Sequence, residues 1–248
     1  MKLFAVTDIG QKRSMNQDYI YGATEPTGIL PNLFIVADGM GGHNAGDFAS
    51  RFAVEEFVRE VREKNRKTVI STVEHAIAQV NEKLLDEAEK RPELAGMGTT
   101  FVVAVLTERE MYVANIGDSR LYVINKEQIR QITQDHSLVE EMIRRGEIER
   151  EAARFHPNKN VITRALGVNV DVVPDFFEVA LTEEDTVLLC SDGLSNMVGD
   201  EEIRAVVLDA GEDLDEAGKR LLQLANENGG RDNISIVLVR REAGDHLQ

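Results

Sequence analysis

The stretch Leu33-Phe34-Ile35-Val36-Ala37-Asp38-Gly39-Met40-Gly41-Gly42-His43-Asn44-Ala45-Gly46 decides how this chain is read. Five apolar residues, Leu33 to Ala37, run directly into Asp38, and four glycines fall between positions 39 and 46. A short apolar run bounded by glycine predicts a buried strand, and glycine-rich backbone can bend sharply or approach a ligand closely. Beyond the turn, Ala45, Phe48, Ala49, Phe52, Val54, Val58 and Val61 form the apolar stripe of a helix. The pattern puts a carboxylate where a core strand ends.

Working outward, Lys2 to Thr7 and Asp18 to Ala23 read as strands on the N-terminal side. A second helix is expected from about Thr68 to Glu89, where Val69, Val73, Ile77, Val80, Leu84 and Ala88 recur every three or four positions and Pro92 follows. Thr99 to Thr107, Met111 to Asn115 and Arg120 to Ile124 are strand-like, and their short links predict antiparallel hairpins. Residues 137 to 154 look helical but are heavily charged and broken at Gly146; the segment up to about Asp171 has the least core-like pattern in the chain. Strands are expected again at Phe176 to Leu181 and Thr186 to Cys190. Helices follow at Glu201 to Leu208 and Leu214 to Asn226, then a strand from Asn233 to Val239. The polar tail, 242–248, is expected to fray. Successive strands without intervening helices favour an α+β arrangement over a doubly wound parallel sheet.

At 248 residues and 42% hydrophobic, the chain suffices for one large domain, taken as residues 1–241. A formal net charge of -16 opposes nucleic-acid and anionic-membrane partners, because long-range attraction has the wrong sign. No run approaches the roughly 18 apolar residues of a membrane span, and no signal peptide is expected at the start. Cys190 lies in an apolar run and reads as a buried small hydrophobe. Five scattered histidines without cysteine pairs offer no zinc-site spacing. A cytoplasmic monomer is the expectation.

Five aspartates share one setting. Asp38, Asp118 and Asp192 each follow an apolar strand, while Asp18 and Asp232 each stand just before one. A single such aspartate is ordinarily a turn residue. Five are harder to dismiss, since sheets gather strand ends at a common edge. Converging carboxylates repel and have raised pKa values unless a cation balances them. An all-oxygen set without His or Cys suits a hard ion such as Mg²⁺ or Mn²⁺. A dinucleotide-binding turn at Gly39 to Gly42 fails in detail: the third position of G-x-G-x-x-G falls on Asn44, and Asp38 would face the pyrophosphate with like charge. Arg13, in a polar turn before Asp18, is suited to gripping a phosphate by a bidentate fork. Metals plus arginine point to phosphoryl chemistry.

These motifs resemble the bacterial branch of the metal-dependent Ser/Thr protein phosphatases (PPM family, type 2C). The matching residues are Arg13-x-x-Asn16-Gln17-Asp18, Val36-Ala37-Asp38-Gly39-Met40-Gly41-Gly42-His43, Gly98-Thr99-Thr100, Asn115-Ile116-Gly117-Asp118-Ser119-Arg120, Ser191-Asp192-Gly193-Leu194 and Gly230-Arg231-Asp232-Asn233. They occur in family order and span nearly the whole chain. The resemblance implies a four-layer α-β-β-α sandwich of two antiparallel sheets flanked by helix pairs, with a variable flap at about 137–171.

The resemblance also implies roles. Asp38 would bridge two ions, Mn²⁺ or Mg²⁺, with the Gly39 carbonyl on one of them and Asp192 and Asp232 completing the other. Asp18 would act at the cluster through water, and Asp118 would help hold a weaker third ion. Arg13 would bind the substrate phosphate. Phosphoserine and phosphothreonine in proteins would be hydrolysed by a water bridging the ions, opposing a bacterial Ser/Thr kinase. Animal members place a histidine directly after the Asp-Gly, where this chain has Met40; His43 and Asn233 are candidates for a supporting or proton-donating role. Animal members also have an acidic residue where Gln17 stands. His136 is expected to order the start of the flap. Two other readings keep the fold: a catalytically silent metal-dependent binding module, and a dedicated phosphatase of a partner-switching stress pathway.

Overall fold

Strands from the two ends of the chain lie side by side, Lys2–Asp8 pairing antiparallel with Ile234–Arg240 from Lys2↔Arg240 to Asp8↔Ile234. The computed structural model describes residues 1–42, 44–64, 66–108, 110–153 and 156–242. In chain order the elements are β1 (Lys2–Asp8), β2 (Asp18–Ala23), β3 (Leu33–Met40), α1 (Ala45–Glu63), α2 (Val69–Lys90), β4 (Gly98–Thr99), β5 (Phe101–Leu106), β6 (Glu110–Ile116), β7 (Arg120–Ile124), β8 (Ile129–Gln131), α3 (Leu138–Arg144), α4 (Arg150–Ala153), β9 (Asp175–Ala180), β10 (Thr186–Cys190), α5 (Asp192–Ser195), α6 (Asp200–Ala210), α7 (Leu214–Glu227) and β11 (Ile234–Arg240). One sheet has the order β1-β11-β10-β7-β8 and the other β2-β3-β5-β6-β9, with β4 beside β3. The pairings are antiparallel.

The alternation of side chains along a strand explains the layering. In β3, Leu33, Ile35 and Ala37 join a core with Ala49, Ala53 and Phe57 of α1 and Val73, Ile77 and Val80 of α2. Phe34 and Val36 point the other way, meeting Leu121, Val123, Val187, Leu189, Val237 and Val239 of the second sheet. The opposite face of that sheet, through Tyr122, Leu188, Cys190, Ile236 and Leu238, packs on Ile203, Val207, Leu221 and Ala225 of α6 and α7. The sequence is therefore helix pair, sheet, sheet, helix pair, as the motifs imply. A strand sandwiched on both faces has no polar side to show, which is why Leu33 to Ala37 reads as an unbroken apolar run.

Two details differ from the sequence reading and a third agrees with it. β3 continues through Asp38 and Gly39 to Met40, because Gly39 and Met40 pair with Thr99 and Gly98 of β4; Asp38 lies inside the strand, not at its end. β4 and β8 are additional short strands. The charged 137–154 stretch divides into α3 and α4 on either side of Gly146, whose φ of 73° breaks the helix. α3 buries none of its residues, consistent with the weak core pattern of this segment. The bridge Ser137↔Ile162 closes the 137–171 segment on itself, and Thr99↔Leu166 joins it to the body. Of the tail 242–248, positions 243–248 lie outside the described residues.

Candidate metal centre

The two sheets carry five aspartates at or near strand ends. Asp18 opens β2 and is paired residue against residue with Asp38 of β3. Asp192 opens the short α5 directly after β10, Asp232 stands two residues before β11, and Asp118 occupies the turn between β6 and β7. Hydrogen bonds cross between the sheets here: Ser191 Oγ and Ser235 Oγ each donate to Asp18 Oδ2 at 2.7 Å. Asp18 is buried, and the other four are half-buried at the mouth.

The aspartates lie near enough to influence one another's titration. Burial pushes the Asp18 carboxyl up to about 7, against the pull of the two serine hydroxyls, and Asp192 and Asp232 add repulsion. Asp38 is raised well above the ordinary carboxylate range by burial first, then by Asp18, Asp192, Asp118 and Asp232. Burial likewise lifts Asp118 to about 8, with repulsion from Asp192 and Asp135, and Asp192 to about 6, with repulsion from Asp232. The Arg120 guanidinium opposes the last two shifts; it grips Asp135 through Nε and Nη2 at 2.7–3.1 Å.

The donor set fits hard divalent cations. Asp18 Oδ1 and Asp192 Oδ1 are buried oxygens with no hydrogen-bond partner, and such atoms call for a ligand. The converging side chains offer only oxygen, the chemistry of Mg²⁺ and Mn²⁺. Among the described residues no three acidic or imidazole side chains close on one point as a finished cage. The carboxylates are near enough to perturb one another but held apart.

Close backbone packing fixes the loops. A Cβ on Gly39 would stand 2.0 Å from Gly46 O and 2.6 Å from Gln17 O. The glycine at 39 thus serves the contact between β3 and the start of α1, where the sequence suggested room for a ligand. The carbonyl of Asp38 accepts from Thr100 N–H at 2.9 Å and Thr99 Oγ1 at 3.0 Å, and its own N–H donates to Thr100 Oγ1 at 2.9 Å. On the other sheet, a Cβ on Gly193 would come within 2.0 Å of Asn233 O, so the Asp192 turn is pressed against the Asp232 loop.

Arg13 is beside the cluster, its Nη2 donating to Asp232 Oδ2 at 2.8 Å. That bond and the charges of Asp232, Asp38 and Asp192 raise the guanidinium pKa further, against burial. Asn233 holds the turn that carries Arg13. Its Nδ2 donates to Ile9 O at 3.0 Å and Met15 O at 2.9 Å, while its Oδ1 accepts from Gln17 N–H at 2.8 Å. Its amide is thus bonded to backbone on both Nδ2 and Oδ1, bracing the turn beside the cluster. His43 lies outside the described residues.

Several neighbours were not singled out by sequence reasoning as site residues. Ser191 and Ser235 hold Asp18, and Thr100 holds Asp38 and shares a 2.7 Å hydrogen bond with Ser119. Thr100, Ser119 and Ser191 fall within the family-like motifs without being singled out there, and Ser235 has only the signal of a small hydroxyl residue interrupting an apolar strand. His136 has a fuller part than ordering the flap's start. Its Nδ1 accepts from Gly117 N–H at 3.0 Å, so the proton belongs on Nε2, which meets Asp175 Oδ2 at 3.1 Å. The ring thereby ties the turn carrying Asp118 to the base of the flap.

Two antiparallel sheets between helix pairs, with acidic side chains gathered at their shared edge, make up the architecture of the PPM-type phosphatases. The Protein phosphatase 2C family model matches residues 10–238, and the chain belongs to that family. It is 42% identical over 240 residues, covering 95% of this chain and 94% of the relative, to the serine/threonine phosphatase stp of Listeria monocytogenes serovar 1/2a. It superimposes on serine/threonine phosphatase Stp1 from Staphylococcus aureus with a TM-score of 0.91, 36% identity and coverage of 98% of this chain and 95% of that one. The catalytic domain of the serine threonine protein phosphatase PstP, in complex with two manganese ions, gives a TM-score of 0.83 at 31% identity, with 96% of each chain covered.

Proposed function

We propose that this enzyme, a protein serine/threonine phosphatase of the 2C type, hydrolyses phosphoserine and phosphothreonine with two divalent ions, Mn²⁺ or Mg²⁺, held at the carboxylate edge. The supporting observation is the convergence of Asp18, Asp38, Asp118, Asp192 and Asp232, with two buried carboxylate oxygens lacking partners. Asp38 and the Gly39 carbonyl, with Asp192 and Asp232, would hold the two core ions; Asp18 would act through water and Asp118 at a weaker third position. When bound, the ions supply an activated water for in-line attack at phosphorus and offset charge on the phosphoryl oxygens.

The chain's own residues provide the rest. Arg13 offers its guanidinium to the incoming phosphate, pre-oriented by Asp232, and a fork of N–H donors matches two phosphoryl oxygens. Ser191 and Ser235 fix Asp18, leaving its free oxygen available to the cluster. Met40 has no proton to give to the leaving alkoxide. The substrates are phosphorylated proteins, a Ser/Thr kinase among them, and the enzyme acts as a cytoplasmic monomer. No helix among the described residues is long and apolar enough to cross a membrane. Manganese in the PstP domain supports the choice of ion.

The test is p-nitrophenyl phosphate turnover with Mn²⁺, with and without chelator, for wild type and Asp192→Ala. Turnover is expected only in metal-loaded wild type, with the variant down by at least about a hundredfold, on the order of 3 kcal/mol of lost charge stabilisation. Equal rates in all four arms sink the enzyme reading and favour the silent binding module.

A further inference from the structure

Beside the metal centre, the chain from the end of the flap toward β9 runs Val168-Asn169-Val170-Asp171-Val172-Val173. Val168, Val170 and Val173 are 51%, 81% and 67% exposed, while Val172 turns inward against the helix-side core. Lone exposed apolar residues need no explanation; three within six residues are a patch.

The segment is held in place. Asn81 of α2 is buried; its Oδ1 accepts from Gly167 N–H at 2.8 Å and its Nδ2 donates to Asn169 O at 2.9 Å and Val170 O at 3.1 Å. At the far end, Arg164 Nη1 donates to Val173 O at 2.9 Å and to Asp175 Oδ1 at 2.7 Å. Two side chains thus spend their polar groups on presenting valines to solvent. A surface fixed in advance loses little entropy on binding.

The patch also adjoins the reaction centre. Leu166 is bridged to Thr99, whose hydroxyl donates to the Asp38 carbonyl. A Cβ on Gly98 would meet Val168 Cγ2 at 2.8 Å and Met40 Cγ at 3.5 Å, so Val168 and Met40 flank one point. Met40 lies two residues beyond Asp38 along β3, about 7 Å at roughly 3.3 Å per strand residue. An extended polypeptide advances about 3.3–3.6 Å per residue, so residues two to four positions from a phosphoserine held at the carboxylates come level with Val168, the near end of the patch.

We infer that Val168, Val170 and Val173 form an apolar ledge that receives substrate polypeptide beside the phosphorylated residue, and that this flanking segment carries an apolar side chain. The inference rests on the phosphatase reading above and adds a substrate preference to it. Neighbouring Asp171 and the enzyme's net charge of -16 oppose a strongly acidic segment in the same place.

The experiment compares p-nitrophenyl phosphate, which has no flanking chain, with two phosphothreonine peptides that carry either leucine or serine two to four positions from the phosphothreonine. Wild type is expected to favour the leucine peptide by about tenfold in kcat/KM, the discrimination typical of one modest apolar contact. In Val168→Ser/Val170→Ser/Val173→Ser the preference should fall to near unity, with p-nitrophenyl phosphate turnover and thermal stability unchanged. Asn81→Ala, which leaves the valines but releases their backbone, should reduce the preference partway. A preference that persists in the triple variant, a wild type without preference, or a parallel loss on p-nitrophenyl phosphate overturns the ledge. So does a dimer that the triple variant abolishes, which would give the surface to a second copy. Wild type that is inactive on every substrate would instead remove the phosphatase reading and the ledge with it.

Discussion

Asp18 and Asp38 stand directly opposite each other across the β2–β3 ladder. Like charges in that relation repel, and both carboxyls are in surroundings that penalise ionisation. The second sheet stabilises one oxygen of Asp18 through Ser191 and Ser235 and leaves the other unpartnered. A pair so placed costs stability in the absence of a cation. Such a local conflict with good packing is characteristic of a functional site.

Asp18→Asn should therefore move two properties in opposite directions. Removing the buried charge relieves repulsion on Asp38, so the metal-free variant should melt higher than metal-free wild type at pH 8, by a few degrees for about 1 kcal/mol. Its Mn²⁺-induced stabilisation and its phosphatase rate should both fall. Thermal melts with chelator and with Mn²⁺ check the pair of signs. A variant less stable than wild type without metal would contradict the proposed origin of the Asp18 shift.

The same carboxyls set a pH dependence. Asp192, Asp18 and Asp118, lifted to about 6, 7 and 8, ionise near 3.8 when unperturbed. Between about pH 4 and 8 the folded metal-free protein holds more protons than the unfolded chain, so these groups lower stability as pH rises through that window. Below it both states are protonated; above it both are ionised and the penalty is complete. Mn²⁺ must displace these protons, so its stabilising effect should grow from pH 5.5 to 8. Calorimetry in matched buffers tests this, and a Mn²⁺ shift independent of pH would count against protonated ligands.

Arg13 and Asp232 share one hydrogen bond at 2.8 Å, which places a cation beside a proposed metal ligand. Arg13→Ala should raise KM for p-nitrophenyl phosphate by about tenfold, the value of one charge-assisted hydrogen bond pair, and should not weaken Mn²⁺ binding. Arg13→Lys should recover only part of the loss, since an ammonium lacks the fork. Steady-state kinetics at saturating Mn²⁺ separates KM from kcat. Weaker Mn²⁺ binding in Arg13→Ala would show that the arginine's main task is to hold Asp232.

The aspartates were legible in the sequence because each marks the boundary of an apolar run, and the long helices because their stripes repeat every three or four positions. The layering was legible only through the resemblance of the motifs to a known family, not from any local pattern. Pairing of β1 with β11 joins opposite ends of the chain, and no local period encodes such a contact. The roles of the residues that hold the ligands were also hidden: Ser191 and Thr100 sit inside the motifs and Ser235 outside them, but all three are ordinary small polar residues until folding points them at Asp18 or Asp38. Gly39 misled for a related reason. Its need for a small residue is already set by the close approach of Gly46 at the start of α1, sequentially later, and of Gln17.

That contact between Gly39 and α1 leads to a further test. A Cβ at position 46 would stand 2.6 Å from Gln17 Nε2 and 2.7 Å from the carbonyl oxygen of Gly39. The glutamine side chain can swing away, but the carbonyl belongs to β3 and is paired through β4. Alanine in a helix is favoured over glycine by about 1 kcal/mol, so Gly46→Ala should not suffer from its own backbone. If the Gly39 carbonyl holds a metal, the added methyl should displace it and weaken apparent Mn²⁺ affinity by about tenfold, or about 1.4 kcal/mol. Gly42→Ala is the control, since a Cβ there meets nothing within 4 Å. Isothermal titration with Mn²⁺ distinguishes them: Gly42→Ala should bind within about twofold of wild type, again on the scale of a fraction of RT. Wild-type affinity in Gly46→Ala would remove the Gly39 carbonyl from the ligand set.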